Sequence, residues 1–189
     1  KGLADQICFN GSENLLEQKL ISGEGNVQNF LTKYIAELGE NIQILDSRKM
    51  EIKYGVFGGY IHSNGKIGVV VPLEAEKPCD DERLHALAHD IAMHIAAFPA
   101  EAVQAKQVPK SVLEKEEEIF RAQAIESGKS NDIVEKMIEG RIKKFLKEVC
   151  VESQPFVKNP EISVAKMVEK TANEIGVKII FNTFEKYQF

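Results

Sequence analysis

The chain has 189 residues, 43% of them hydrophobic and 28% charged, with a formal net charge of −5. That is the balance of an ordinary globular protein, long enough for one domain or two small ones and able to bury a core without disulfides. It argues against a nucleic-acid binder, which needs a basic stripe to displace counterions, and no apolar run approaches the ~20 residues of a membrane span. Leu3, Ala4 and Ile7 already follow helical spacing, and Lys1 stands where an initiator Met is usual, so residues upstream are expected to be missing. Asn26 is placed to cap a helix carrying Val27, Phe30, Leu31, Tyr34 and Ile35. It should stop at Leu38-Gly39, where glycine supplies the left-handed conformation. Residues 41–52 then turn extended, with Ile42 and Ile44 alternating as in a strand.

A hairpin is predicted next. Two β-rich runs, Tyr54 to Ile61 and Lys66 to Val71, flank Ser63-Asn64-Gly65, and Asn-Gly tolerates the positive φ of a tight turn. Glycines 55, 58, 59 and 68 fit bulges or close helix packing; without a following Lys-Ser/Thr they form no phosphate loop. Pro72 suits an edge strand. Asp80 or Asp81 opens a helix to Ala97, closed by Pro99, with Leu84, Leu87, Ala88, Ile91, Ala92 and Ile95 as its core stripe.

Beyond Pro109, two charged amphipathic helices are expected at about 110–126 and 131–149. The short Ser127-Gly128-Lys129-Ser130 link makes them antiparallel. Val112, Ile119 and Phe120 should face Val134, Ile138, Ile142 and Phe145 in a coiled-coil seam. The basic group Arg141, Lys143 and Lys144 lies beside Glu135, Glu139 and Glu148 and reads as solvated helix face. A helix at 164–175 and a strand at 177–184 end the chain. The fold class is therefore α+β: a three-stranded antiparallel sheet (54–61, 66–73, 177–184) packed with helices, an inserted antiparallel coiled-coil hairpin, and a partial N-terminal helical and strand subdomain. The expected division is 1–52 for the partial helical and strand unit, 53–102 with 150–189 for the sheet-bearing unit, and 103–149 for the coil.

Little chemistry is offered. His85 and His89, at i and i+4, share a helix face and could hold a metal, but the glutamate of an HExxH site is absent. His94 lies about 180° from His85 at ~100° per residue, so it cannot be a third ligand. The preferred reading is of boundary histidines flanking the core stripe. The three cysteines, Cys8, Cys79 and Cys150, form no CxxC pair and fit a reducing compartment. Acids at Asp80 and Asp81 raise rather than lower the Cys79 thiol. Glu116-Glu117-Glu118 reads as coil surface. His62, at a hairpin tip, is either plain surface or a recognition residue. No nucleophile, general base or cofactor loop emerges.

Three stretches carry a resemblance. Residues 90–97 read DIAMHIAA. Residues 133–160 read IVEKMIEGRIKKFLKEVCVESQPFVKNP. Leu38-Gly39-Glu40-Asn41-Ile42 contains a GENI turn, followed at fitting distance by Tyr60-x-His62 and Lys66-Ile67-Gly68-Val69. In this order, over roughly residues 30–184, they resemble translation elongation factor Ts. The resemblance implies a fragment, since the family's small ubiquitin-associated-type domain and its TDFV motif are absent from the 189 residues. It implies a non-enzymatic guanine-nucleotide exchange factor that binds elongation factor Tu, GDP-bound or nucleotide-free, and promotes GDP release in translation elongation.

No metal or other cofactor is implied, and the compartment would be the cytoplasm or an organelle matrix. The positions matching the family's contact surface are Leu38 and Gly39, His62, and Val157 with Lys158. Leu38-Gly39 would touch the nucleotide-binding domain, and the others would grip the partner elsewhere. Two alternatives stay open: a metal-dependent enzyme built on His85 and His89, and a coiled-coil oligomerisation module, with a homodimer formed through the coil.

Overall fold

The structure, a computed structural model, describes residues 2–21, 23–125 and 131–189. They separate into two compact units, Lys1–Glu51 and Ile52–Phe189. In the first unit, α1 (Gly2–Asn10) and α2 (Val27–Leu38) enclose Leu15, Val27 and Leu31, with Leu3, Ile7, Leu20, Ile42 and Ile44 packed around them. Asn26 caps α2: its side chain accepts from the Asn29 N–H at 2.8 Å, and Asn29 returns the bond to the Asn26 N–H at 3.3 Å. Gly39 ends α2 with φ 70°, its N–H donating to Ile35 O at 2.9 Å. The strand expected over 41–52 does not form. Ile42 and Ile44 still turn inward onto the cluster, but the described residues offer their backbone no ladder partner, and extended chain becomes strand only by pairing.

The second unit is built on an antiparallel sheet of β1 (Gly55–Ile61), β2 (Ile67–Ala75), β5 (Ile179–Ile180) and β6 (Glu185–Gln188). The α+β class is as expected, but the third row of the sheet is shared by two short strands. β5 pairs with Glu74 and Ala75, and β6 pairs with residues 67–70. Between them residues 181–184, four in number, stand opposite only three, 71–73, which is a bulge. Pro72 supplies the cause. In β2 the odd-numbered backbone groups face β1, as when Ala75 N–H donates to Tyr54 O. The even-numbered ones face away, as when Glu76 N–H donates to Lys178 O. Pro72 therefore lacks its N–H on the side where the last strand should continue, and the ladder breaks there. It sits in the central strand, not at the edge position expected of it.

Helix α3 (Glu82–Ala97) covers one face of the sheet. All six residues of its predicted stripe are buried, against Val56, Val69, Val71 and Leu73. Asp81 caps it, accepting from the Arg83 N–H at 2.9 Å, and the Arg83 guanidinium bonded to that carboxylate holds its pKa down at about 2. The approach is close because Gly58 has no side chain: a Cβ there would lie 2.1 Å from the Ala88 carbonyl carbon. At the other end of α3, the Lys186 ammonium donates to Ile95 O at 2.9 Å and Phe98 O at 3.2 Å, satisfying terminal carbonyls.

Helices α4 (Lys110–Ile125) and α5 (Asn131–Val149) pair as a hairpin; the Ser127-Gly128-Lys129-Ser130 link lies outside the described residues. Ala124, Val134 and Ile138 form a cluster with Phe120 and Ile142, separate from a basal one of Ala102, Val108, Val149 and Cys150. The α5 seam at 138, 142, 145 and 149 is as expected. Ile119 is not in it: 41% exposed, it yields its place to Ala124. Arg121 bridges Glu117 on its own helix and Glu135 on α5. At the root, Glu101 N–H donates to Val149 O and Val151 N–H to Ala102 O, both 3.0 Å, so the entering and returning chains run side by side. The strands β3 (Pro155–Phe156) and β4 (Asn159–Ser163) went unread in the sequence; they form a small hairpin leading into α6 (Val164–Ile175).

Candidate partner-binding surfaces

In the first unit, the termination of α2 decides how Leu38 is presented. It is the last helical residue, and Gly39 turns the chain inward so that Ile42 reaches the cluster while Leu38 remains 61% exposed. Phe30 and Tyr34 precede it at four-residue intervals, their rings 4.6 Å apart, and Tyr34 is also exposed. Sequence reading placed both aromatics on the core face. Of the expected face, the structure buries Val27 and Leu31 and leaves Phe30 and Tyr34 in an apolar stripe running to Leu38. An amphipathic pattern cannot say which of two adjacent apolar edges faces the core.

In the second unit, His62 stands exposed where β1 turns into β2. Its N–H donates to Ile67 O, and Gly65 N–H donates back to His62 O, closing the turn. The Tyr60 hydroxyl lies 3.3 Å from His62 Nδ1. Tyr60 in turn meets His89 edge to face, at 6.0 Å between centroids, and His89 Nδ1–H donates to Gly59 O at 2.9 Å. Thus α3 props the hairpin that displays His62.

Val157 and Lys158 are the two turn residues of the β3–β4 hairpin. Lys158 Nζ lies 2.6 Å from Asp90 Oδ1, a carboxylate whose side chain is only 15% exposed. The Val157 N–H donates to His94 Nδ1 at 3.2 Å, and His94 Nε2–H donates to Gln154 Oε1 at 2.7 Å. Gln154 then donates from Nε2 to Pro99 O at 2.6 Å and to Glu148 O. His94 is fully buried, stacked on Phe98 at 4.7 Å, and burial pushes its pKa below the usual 6.5. The expectation of a boundary histidine is therefore wrong for His94. The unread hairpin covers the flank of the core stripe on which His94 lies. The contacts of Asp90, His94 and Gln154 escaped the sequence reading because their partners lie about sixty positions away.

His85 Nε2 is 2.8 Å from Asp80 Oδ1, while His89 turns to Gly59 O, so the two do not converge on a common ligand point. Among the described residues, no three His, Cys, Asp or Glu side chains come together as a metal site. None of their helices is long and apolar enough to cross a membrane.

The second unit thus defines a class: an α+β domain that displays selected side chains on hairpin tips and carries a paired-helix arm between α3 and α6. The family model for elongation factor Ts matches residues 3–186. The chain is 44% identical over 177 residues to elongation factor Ts of Clostridium novyi (strain NT), covering 93% of this chain and 57% of that protein. It is 40% identical over 186 residues to the Clostridium acetobutylicum protein, covering 98% and 60%. It is 39% identical over 190 residues to that of Clostridium botulinum (strain 657), covering 98% and 61%. The chain belongs to the elongation factor Ts family, and spans about three fifths of the length of these relatives.

Proposed function

We propose that the chain is the partner-gripping part of a guanine-nucleotide exchange factor. It binds elongation factor Tu, GDP-bound or nucleotide-free, and promotes GDP release during translation elongation in the cytoplasm. The observation that supports this reading is the placement of family-matching residues at chain turns: exposed Leu38 at the end of α2, exposed His62 on one hairpin tip, and half-buried Val157 with exposed Lys158 on another. Exchange breaks no covalent bond, so the reading asks for no acid, base or nucleophile, and we infer that the protein is not an enzyme. Factor and nucleotide oppose each other's binding to the GTPase, and that coupling is reciprocal.

Stopped-flow release of a fluorescent GDP analogue from elongation factor Tu tests the proposal. Release should accelerate with chain concentration, but weakly, since the 189 residues contain no TDFV run. Absence of any binding by titration calorimetry would overturn it. Self-association through the α4–α5 arm is a second reading, favoured by Ile119 and Ile133 standing exposed on its flanks. Sedimentation equilibrium of the chain and of the Ile119→Glu variant decides it: a dimer lost in the variant supports the arm as the interface, and a monomer throughout removes it.

A further inference from the structure

We propose that Asp90 and His94, one turn apart on α3, are positioning residues that set the Val157–Lys158 tip, and that Gln154 ties this setting to the root of the α4–α5 arm. Three contacts converge. Asp90 holds the Lys158 ammonium at 2.6 Å, His94 Nδ1 accepts the Val157 N–H at 3.2 Å, and Gln154 joins His94 to Pro99 O and Glu148 O. The i, i+4 spacing of Asp90 and His94 points both side chains toward the same neighbour. The short β3–β4 hairpin has an irregular register, so its own ladder determines the tip poorly. Side chains from α3 supply what the ladder lacks.

The tautomer follows from the bonding. Nδ1 accepts and Nε2 donates, so the neutral ring satisfies both partners and a protonated ring cannot accept from Val157. Gln154 has its oxygen on His94 and its amide protons on two carbonyls from different elements, which fixes its orientation as well. Asp90 and Lys158 pair with each other, and Lys186 is held on the carbonyls of Ile95 and Phe98. Glu148 meets the network through its backbone oxygen. The consequence is mechanical: a displacement of the α5 end at Glu148 is transmitted through one amide and one imidazole to the tip.

The inference deepens the proposed function, because the tip matters for binding only if that reading holds. Two measurements keep the failures apart. The first needs no partner. In the wild-type chain, nitrogen chemical shifts should show His94 Nδ1 unprotonated near neutral pH, and the Val157 amide proton shift should follow the His94 titration on acidification. In His94→Phe, which keeps a ring between Phe98 and Phe156, Val157 amide exchange should accelerate at least tenfold while Val69 and Val71 amides keep their rates. A Val157 amide indifferent to His94 in the wild-type titration would overturn the proposal, even should the variant fail to fold.

The second measurement is a double-mutant cycle on binding to elongation factor Tu, using Asp90→Asn, Lys158→Ala and the pair. Asp90→Asn should weaken binding several-fold, with little further loss when Lys158→Ala is added. Full additivity would show that Asp90 does not act through Lys158. If Lys158→Ala alone leaves binding unchanged while the amide results stand, the contact role of the tip fails and its positioning survives.

Discussion

His62 and His94 separate display from burial at the level of single residues. Truncating His62 to alanine should cost ~1–2 kcal/mol of binding to elongation factor Tu, as for a central interface residue. Its melting temperature should stay near wild type, since an exposed tip side chain contributes within about ±0.5 kcal/mol to folding. Calorimetry and a thermal melt check both halves; unchanged binding by a folded His62→Ala protein would remove it from the contact surface. His94→Ala leaves a cavity beneath Phe98 and strips partners from Gln154 and the Val157 amide, so a loss of about 2–4 kcal/mol in urea denaturation is expected. The positions of His62, Val157 and Lys158 were legible as motif matches. What holds them was not, because Asp90–Lys158 and His94–Gln154 are tertiary pairs that no local pattern encodes.

Among the elements, the helices were the most legible. Asn26 and Asp81 cap helices at the starts expected of them, and α5 and α6 run over their expected residues. The sheet was legible in its first two strands only. Residues 177–184 read as one strand, because the interruption originates in Pro72 on the neighbouring strand. The two-residue strand β3 is too short to carry a period at all. The α3–sheet contact gives a sharp test of packing. Gly58→Ala must push the Ala88 backbone away and should destabilise the second unit by ~3 kcal/mol, near the upper end for overpacked cores. A urea midpoint equal to wild type would mean that α3 can back away freely.

On the scale of the whole molecule, acid stability joins several of these features. His94 is held below 6.5 by burial, so an unfolded chain binds the additional proton between the folded value and 6.5. Stability should therefore be level above pH ~7 and fall as pH drops below ~6.5. A further loss should follow below pH 3.8, as Asp81, depressed to about 2, takes up its proton. Urea midpoints at pH 8, 6 and 5 check the first step, and His94→Phe should flatten it. The broken third row of the sheet has a different consequence. β6 is fastened separately from β5, with the bulge at 181–184 between them, so the last few residues can open as a unit of their own, without unzipping β5. Lys186 rides on that strand and serves the final carbonyls of α3, so each such opening also bares the helix end next to Pro99. The C-terminal strand is a latch, and the helix that props both display hairpins is what it fastens.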